Sequence, residues 1–122
     1  MLSSERYKEH IKPMDTRTSN NLLLLEPITF IYKGDEEQKL QYGLSAEETV
    51  KHCPDIVIHN DEGLVETVEY HTLPILLLNK VKQQNDMLTQ LMLDVATLKI
   101  QLQQYKQNTG KNDNNNTNKD TS

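Results

Sequence analysis

The 122-residue chain has one cysteine, no tryptophan and a single phenylalanine. Cys53, alone, excludes an intrachain disulfide and fits a reducing compartment. Aromatic residues make up 5% of the chain, so a core has few large anchors. No apolar stretch approaches the ~18 to 20 residues of a membrane span. The longest runs are Leu22–Leu25 and Ile75–Leu78. The opening Met1-Leu2-Ser3-Ser4-Glu5-Arg6 lacks the charged-then-apolar layout of a signal peptide.

Positive charge is also scarce where a nucleic-acid grip would need it. Residues 1–70 hold seven Lys and Arg against fourteen Asp and Glu, and the whole chain carries a formal charge of −5. Such a body argues against a primary contact with a phosphate backbone. No nucleic acid and no membrane are therefore expected as partners. His52, Cys53, His59 and His71 match no metal-ligand spacing, so neither metal nor cofactor is expected. His10 reads as an ordinary surface residue. Cys53 reads as a core position at a helix end.

What is present divides into three parts. Asn108 to Ser122 contains no apolar side chain, and six of its fifteen residues are Asn. Its composition predicts a disordered tail over 108–122. The remaining 107 residues are few for a self-sufficient core. Small units of this kind draw stability from metals, disulfides or partner chains.

The first foldable part reads as a small α+β body. A turn-rich run, Asp15 to Asn20, leads to a helical turn or two at Leu22–Leu25, which Pro27 stops. Ile28–Tyr32 is β-branched and aromatic, hence a strand. Gln41–Leu44 is a brief extended piece. Ser45 and Glu48 have the spacing of a capping box for a helix over Ala46–His52, ended by Pro54. Ile56–His59 and Leu64–Tyr70 form a β-hairpin across the turn Asn60–Gly63. Val65 and Val68 break the alternation of its second strand.

From Leu73 the period changes. Leu77, Val81, Gln84, Leu88, Leu91, Val95, Leu98, Leu102 and Tyr105 are spaced alternately four and three apart. This is an unbroken heptad seam, with Val81 at position a. Asp94 falls at g and Lys99 at the next e, the spacing of an interhelical pair in a parallel coil. Leu93 and Ile100 at f, with Met87 and Met92 beside the seam, widen the apolar face beyond what a dimer needs. A parallel, three-stranded coil over about 73–107 is expected, with Gln84 as a polar layer that sets register. A single amphipathic helix folded onto its own domain is the plainer alternative.

Four blocks then point to a family. Ser3-Ser4-Glu5-Arg6-Tyr7-Lys8-Glu9-His10-Ile11-Lys12-Pro13 resembles the opening of the intramolecular chaperone auto-processing domain, serine peptidase family 74. That domain closes phage endosialidases, tail spikes and neck appendages, and has a relative within myelin regulatory factors. Leu25–Tyr32, Tyr42–Val50 with His52–Val57, and Val68–Leu77 resemble its later segments in the same order. The resemblance covers roughly residues 3–105, and the implied domain spans 3–107.

The resemblance implies that the domain trimerises an N-terminally fused fibre-type client, then cuts itself away before the motif serine. The matching residues are Ser3 as nucleophile and Lys8 as base, and the scissile bond is Leu2–Ser3. Arg6, Glu47 and Glu48 are candidates to support the site. The expected partners are two further copies of the chain and a fused client. The expected location is the cytosol of the producing cell, with association to the virion before release.

A serine hydroxyl needs a base to attack, and a lysine serves only when neutral, against a reference pKa of about 10.4. Desolvation or a nearby cation favours the neutral form. Arg6 is a candidate cation. A trimer that buries Lys8 would thus switch cleavage on. Five residues along an α-helix turn through ~500°, so Ser3 and Lys8 would diverge on one. Either Ser3 precedes the helix or the lysine comes from a neighbouring chain. Because Ser3 supplies the nitrogen of the bond, its hydroxyl can attack Leu2 by a local N-to-O acyl shift; attack in trans is the alternative.

Without the resemblance, Ser3 reads as a cap, Lys8 as a solvated residue, and Glu47 and Glu48 as helix-cap and surface side chains. Only Met1 and Leu2 precede the bond, which leaves a second expectation: a detached, non-catalytic trimerisation module without a client.

Overall fold

The structure is a computed structural model that describes residues 2–119, and the side chains of residues 2–111. The chain divides into two compact units, Met1–Gln83 and Gln84–Ser122. The secondary structure is mixed, with two small antiparallel hairpins and a long C-terminal helix. The tail expected over 108–122 falls mostly on residues 112–122, outside the described side chains.

The first unit opens with an arm. Its one regular feature is a 3-10 turn, Glu5–Tyr7. A longer 3-10 helix, Arg17–Leu24, follows. It starts five residues before the expected helical turns because Asp15 caps it. The Asp15 carboxylate accepts from the Thr18 amide at 3.0 Å and the Thr18 hydroxyl at 2.8 Å. The helix ends at Leu25, whose amide donates to the Leu22 carbonyl. Pro27, lacking an amide donor, lies just beyond.

Strand β1 (Ile28–Phe30) pairs antiparallel with β2 (Gln41–Gly43), Thr29 opposite Tyr42. The strand is shorter than the β-branched run Ile28–Tyr32 suggests. A turn claims its end: the Asp35 amide donates to the Tyr32 carbonyl, and Gly34 takes φ +81. The Asp35 carboxylate then fastens the loop by accepting from the Glu37 and Lys39 amides. This is the local chemistry that favours Asp in turns.

Helix α1 (Ala46–His52) has the expected bounds. The Ser45 hydroxyl accepts from the Glu48 amide at 3.2 Å. The return half of the capping box is not made, because the Glu48 carboxylate pairs with the Lys51 ammonium at 2.8 Å. Thr49 is fully buried and satisfied, its hydroxyl donating to the Ser45 carbonyl at 2.7 Å.

Strands β3 (Val57–His59) and β4 (Val65–Val68) form the second hairpin. Its turn is fastened by Asn60, whose side-chain oxygen accepts from the amides of Glu62 and Leu64. Gly63 supplies φ +82. Val57 faces Val68 and Ile58 faces Thr67, but His59 faces Val65. Glu66 is the extra residue of a bulge, which accounts for the broken alternation of Val65 and Val68.

Among the described residues, Leu22, Ile56, Val68 and Leu76 are the buried apolar ones, with Leu25, Leu44, Ala46, Cys53 and Leu73 packed around them. Leu73 and Leu76 come from the first turn of helix α2 (Leu73–Lys119). Asn79, one turn on, donates to the Asp15 carbonyl at 2.9 Å and to the Ser19 hydroxyl at 3.0 Å. Ser19 is fully buried, so this amide satisfies a group that water cannot reach. A core of four buried side chains is small for a unit of this length, as the scarcity of aromatics predicts.

The second unit consists of the later turns of α2. Its seam residues are solvent-exposed in the single chain: Leu88 54%, Leu91 58%, Leu98 62% and Leu102 53%. Gln84, Val95 and Tyr105 are exposed too. Among the described residues, no helix is long and apolar enough to cross a membrane.

Candidate functional site

The residues matched to the catalytic pair lie on the arm of the first unit. Ser3 is in irregular chain before the 3-10 turn, and Lys8 stands just after it. The turn itself is local, with the Tyr7 amide donating to the Ser4 carbonyl and the Lys8 amide to the Glu5 carbonyl. The side chains of Ser3 and Lys8 are both exposed. Among the described residues, neither the Ser3 hydroxyl nor the Lys8 ammonium takes part in a hydrogen bond.

The bond assigned to cleavage is open to solvent. Leu2 is 67% exposed, and every residue from Leu2 to Thr18 is exposed. From Leu2 to Met14 the described hydrogen bonds are all local. The first long-range tie is the one Asn79 makes to the Asp15 carbonyl. The arm is therefore anchored at its C-terminal end and carries Leu2, Ser3 and Lys8 away from the core.

Arg6 lies between the pair in sequence but is engaged by its neighbour. Its guanidinium carbon stands 4.5 Å from the Tyr7 ring centroid, and Nη2 donates to the Tyr7 hydroxyl at 2.7 Å. That contact spreads the cation over an aromatic face. Glu9 and His10 are 3.9 Å apart and well exposed.

Glu47 and Glu48 stand on α1. The Ser45 hydroxyl donates to Glu47 Oε2 at 3.4 Å. Glu48 is held by Lys51, whose hydrogen bond and charge keep its carboxyl below the usual range. No hydrogen bond joins either glutamate to Ser3, Arg6 or Lys8 among the described residues. The structure thus groups Ser3, Arg6 and Lys8 on the arm and places the two glutamates on a separate element.

Sequence reasoning missed the residues that hold the surroundings together. The Tyr70 hydroxyl accepts from the Leu44 amide at 2.9 Å and reaches the Leu44 carbonyl at 3.3 Å, tying the start of α2 to the end of β2. Asn21 donates from its side-chain amide to the His52 carbonyl at 3.1 Å, closing the C-terminus of α1. Asn79 carried one signal: a polar residue directly after the apolar run Ile75–Leu78.

Cys53 is half-buried against the core. Burial, and then the charge of Asp55, raise its thiol pKa and oppose thiolate formation. It reads as a packing residue.

A family model described as chaperone of endosialidase, of the S74 peptidases, matches residues 3–58. The match begins at Ser3 and takes in three of the four sequence blocks, together with the arm, both strands of the first hairpin and α1. It supports the S74 chaperone domain that those blocks resemble. No curated protein matches the chain.

Proposed function

We propose that the chain is a self-cleaving chaperone domain that trimerises a fibre-type protein fused to its N-terminus and then releases itself. The observation that carries this reading is the family match opening at Ser3, with Lys8 five residues on and the Leu2–Ser3 bond exposed.

The proposed chemistry uses the chain's own atoms and one water. The Ser3 hydroxyl oxygen attacks the Leu2 carbonyl carbon, while neutral Lys8 takes the hydroxyl proton. Collapse of the adduct breaks the C–N bond, and the proton passes to the Ser3 nitrogen. Leu2 is then joined to Ser3 as an ester. Water hydrolyses that ester, leaving a Leu2 carboxylate and a free Ser3 amine.

Self-association supplies what the single chain lacks. Lys8 is exposed in one copy, and an assembly that covers the arm excludes water from the dyad. The exposed seam on α2 provides the means of assembly, since four and three spacing sustained over four heptads suits a parallel coil. Three copies also align three clients, which is the chaperone half of the function.

A second reading is a non-catalytic trimerisation module. It is favoured by the absence of a hydrogen bond between Ser3 and Lys8, and by the engagement of Arg6 with Tyr7. A passenger fused upstream of Ser3 separates the two. Release that is abolished by Ser3→Ala and by Lys8→Ala is expected. An intact wild-type fusion that still assembles leaves only the second reading.

A further inference from the structure

Leu73 and Leu77 do two things at once. They begin helix α2, and they line an apolar groove of about 380 Å3 in the first unit, alongside Leu25, Tyr42 and Tyr70. No charged residue lines this groove. Tyr42, on β2, is 79% exposed although it faces an apolar surface.

The heptad register says what can reach it. With Val81 at a, Leu77 is d, Leu73 is the preceding g and Leu78 is e. In a parallel coil a g residue meets the e residue five positions later on the neighbouring helix. Leu73 of one copy is thereby matched to Leu78 of the next. Leu78 is 58% exposed in the single chain. The groove is continuous with the seam through Leu77, so a neighbouring helix docked along the seam arrives at its mouth.

We infer that this groove is an interface, filled by the first turns of α2 from a second copy. Leu78 of that copy sits against Leu73, and Tyr42 and Tyr70 close over it. The body of the domain, as well as the coil, then takes part in self-association. The inference rests on the proposed self-association and adds to it the surface that the body contributes. It also gives the thin core an apolar supplement from outside the chain.

The test uses the full chain with Cys53→Ser, carrying Leu73→Cys and Leu78→Cys together. Positions five apart on one helix are ~7.5 Å apart along its axis and point to different sides, too far for a disulfide within the chain. Mild oxidation is expected to link chains covalently, while the Leu73→Cys variant alone stays unlinked. Association in sedimentation without links overturns the groove interface and leaves self-association standing. A monomer in the unsubstituted chain overturns both.

A second measurement covers a failure of the cysteine variant to assemble. The chain has no tryptophan, so Tyr42→Trp introduces a unique fluorophore at the groove. Its emission is expected to lie to the blue in the assembled chain and to shift red when Leu91→Asp and Leu98→Asp break the seam. Identical, solvent-like emission in both states overturns the inference.

Discussion

The Tyr70 hydroxyl stands 2.8 Å from the point where a Cβ on Gly43 would lie. From there it reaches both polar backbone groups of Leu44. A side chain at position 43 and the Tyr70 hydroxyl cannot occupy the same space. Phe30 crowds the position as well, with a ring carbon at 3.3 Å. Gly43→Ala is expected to destabilise the domain by about 1–3 kcal/mol through overpacking. Tyr70→Phe is expected to cost about 1 kcal/mol for the lost hydrogen bonds. Combined, the two should cost less than their sum, because removing the hydroxyl relieves part of the clash. Urea denaturation of the four chains measures the coupling.

Asn79→Ala removes the amide that satisfies Ser19 and the Asp15 carbonyl. Ser19 is fully buried, so its hydroxyl loses a partner that water cannot replace. A loss of about 1–3 kcal/mol is expected. Asn79→Ala combined with Ser19→Ala should recover part of it, as measured by the denaturation midpoint.

Acid should loosen the start of the 3-10 helix Arg17–Leu24. The Thr18 side-chain hydrogen bond, followed by the Thr18 amide, holds the Asp15 carboxyl below its ordinary range. A depressed carboxylate stabilises the fold above its unfolded pKa, and that contribution is lost as pH falls through the folded value. Stability should therefore fall between neutral pH and about pH 3 by more in the wild type than in Asp15→Asn. Thermal unfolding at the two pH values gives the comparison. Equal losses in both chains would assign the acid sensitivity elsewhere.

How far the sequence carries depends on the range of the interaction. Ser45 and Pro54 bracket α1 with local chemistry, and its bounds were legible. The hairpin turn at Asn60–Gly63 was legible for the same reason. The broken alternation of Val65 and Val68 was visible, but its cause, the bulge at Glu66, needs the partner strand. The 3-10 helix from Arg17 was seen only in its last turns, because its start depends partly on Asn79, sixty residues from Ser19. Tyr70 and Gly43 gave no periodic signal, since their relationship spans two elements. Ser3 and Lys8 are proposed as a pair on the family resemblance alone. Among the described residues the arm makes only local hydrogen bonds before Asp15, so no long-range hydrogen bond ties Ser3 or Lys8 to the body. The heptad spacing was legible in the sequence, and the residues that carry it are exposed in the single chain.

The polar layer offers a separate test of the coil. Gln84 occupies a d position among apolar residues, and such a residue sets register at a cost in stability. Gln84→Leu is expected to raise the thermal midpoint of the assembled chain and to broaden the distribution of species in sedimentation. Leu91→Asp with Leu98→Asp is expected to give monomers. An assembly indifferent to the aspartates would show that the seam is not the contact.

The central claim is cleavage of the Leu2–Ser3 bond by Ser3 and Lys8. The most direct measurement is the mass of the C-terminal fragment released from a fusion with a passenger upstream of Met1. The account predicts a fragment that begins at Ser3, formed by the assembled wild type and missing from Ser3→Ala and Lys8→Ala. An uncut fusion that nevertheless assembles, or a fragment that begins elsewhere, would contradict it.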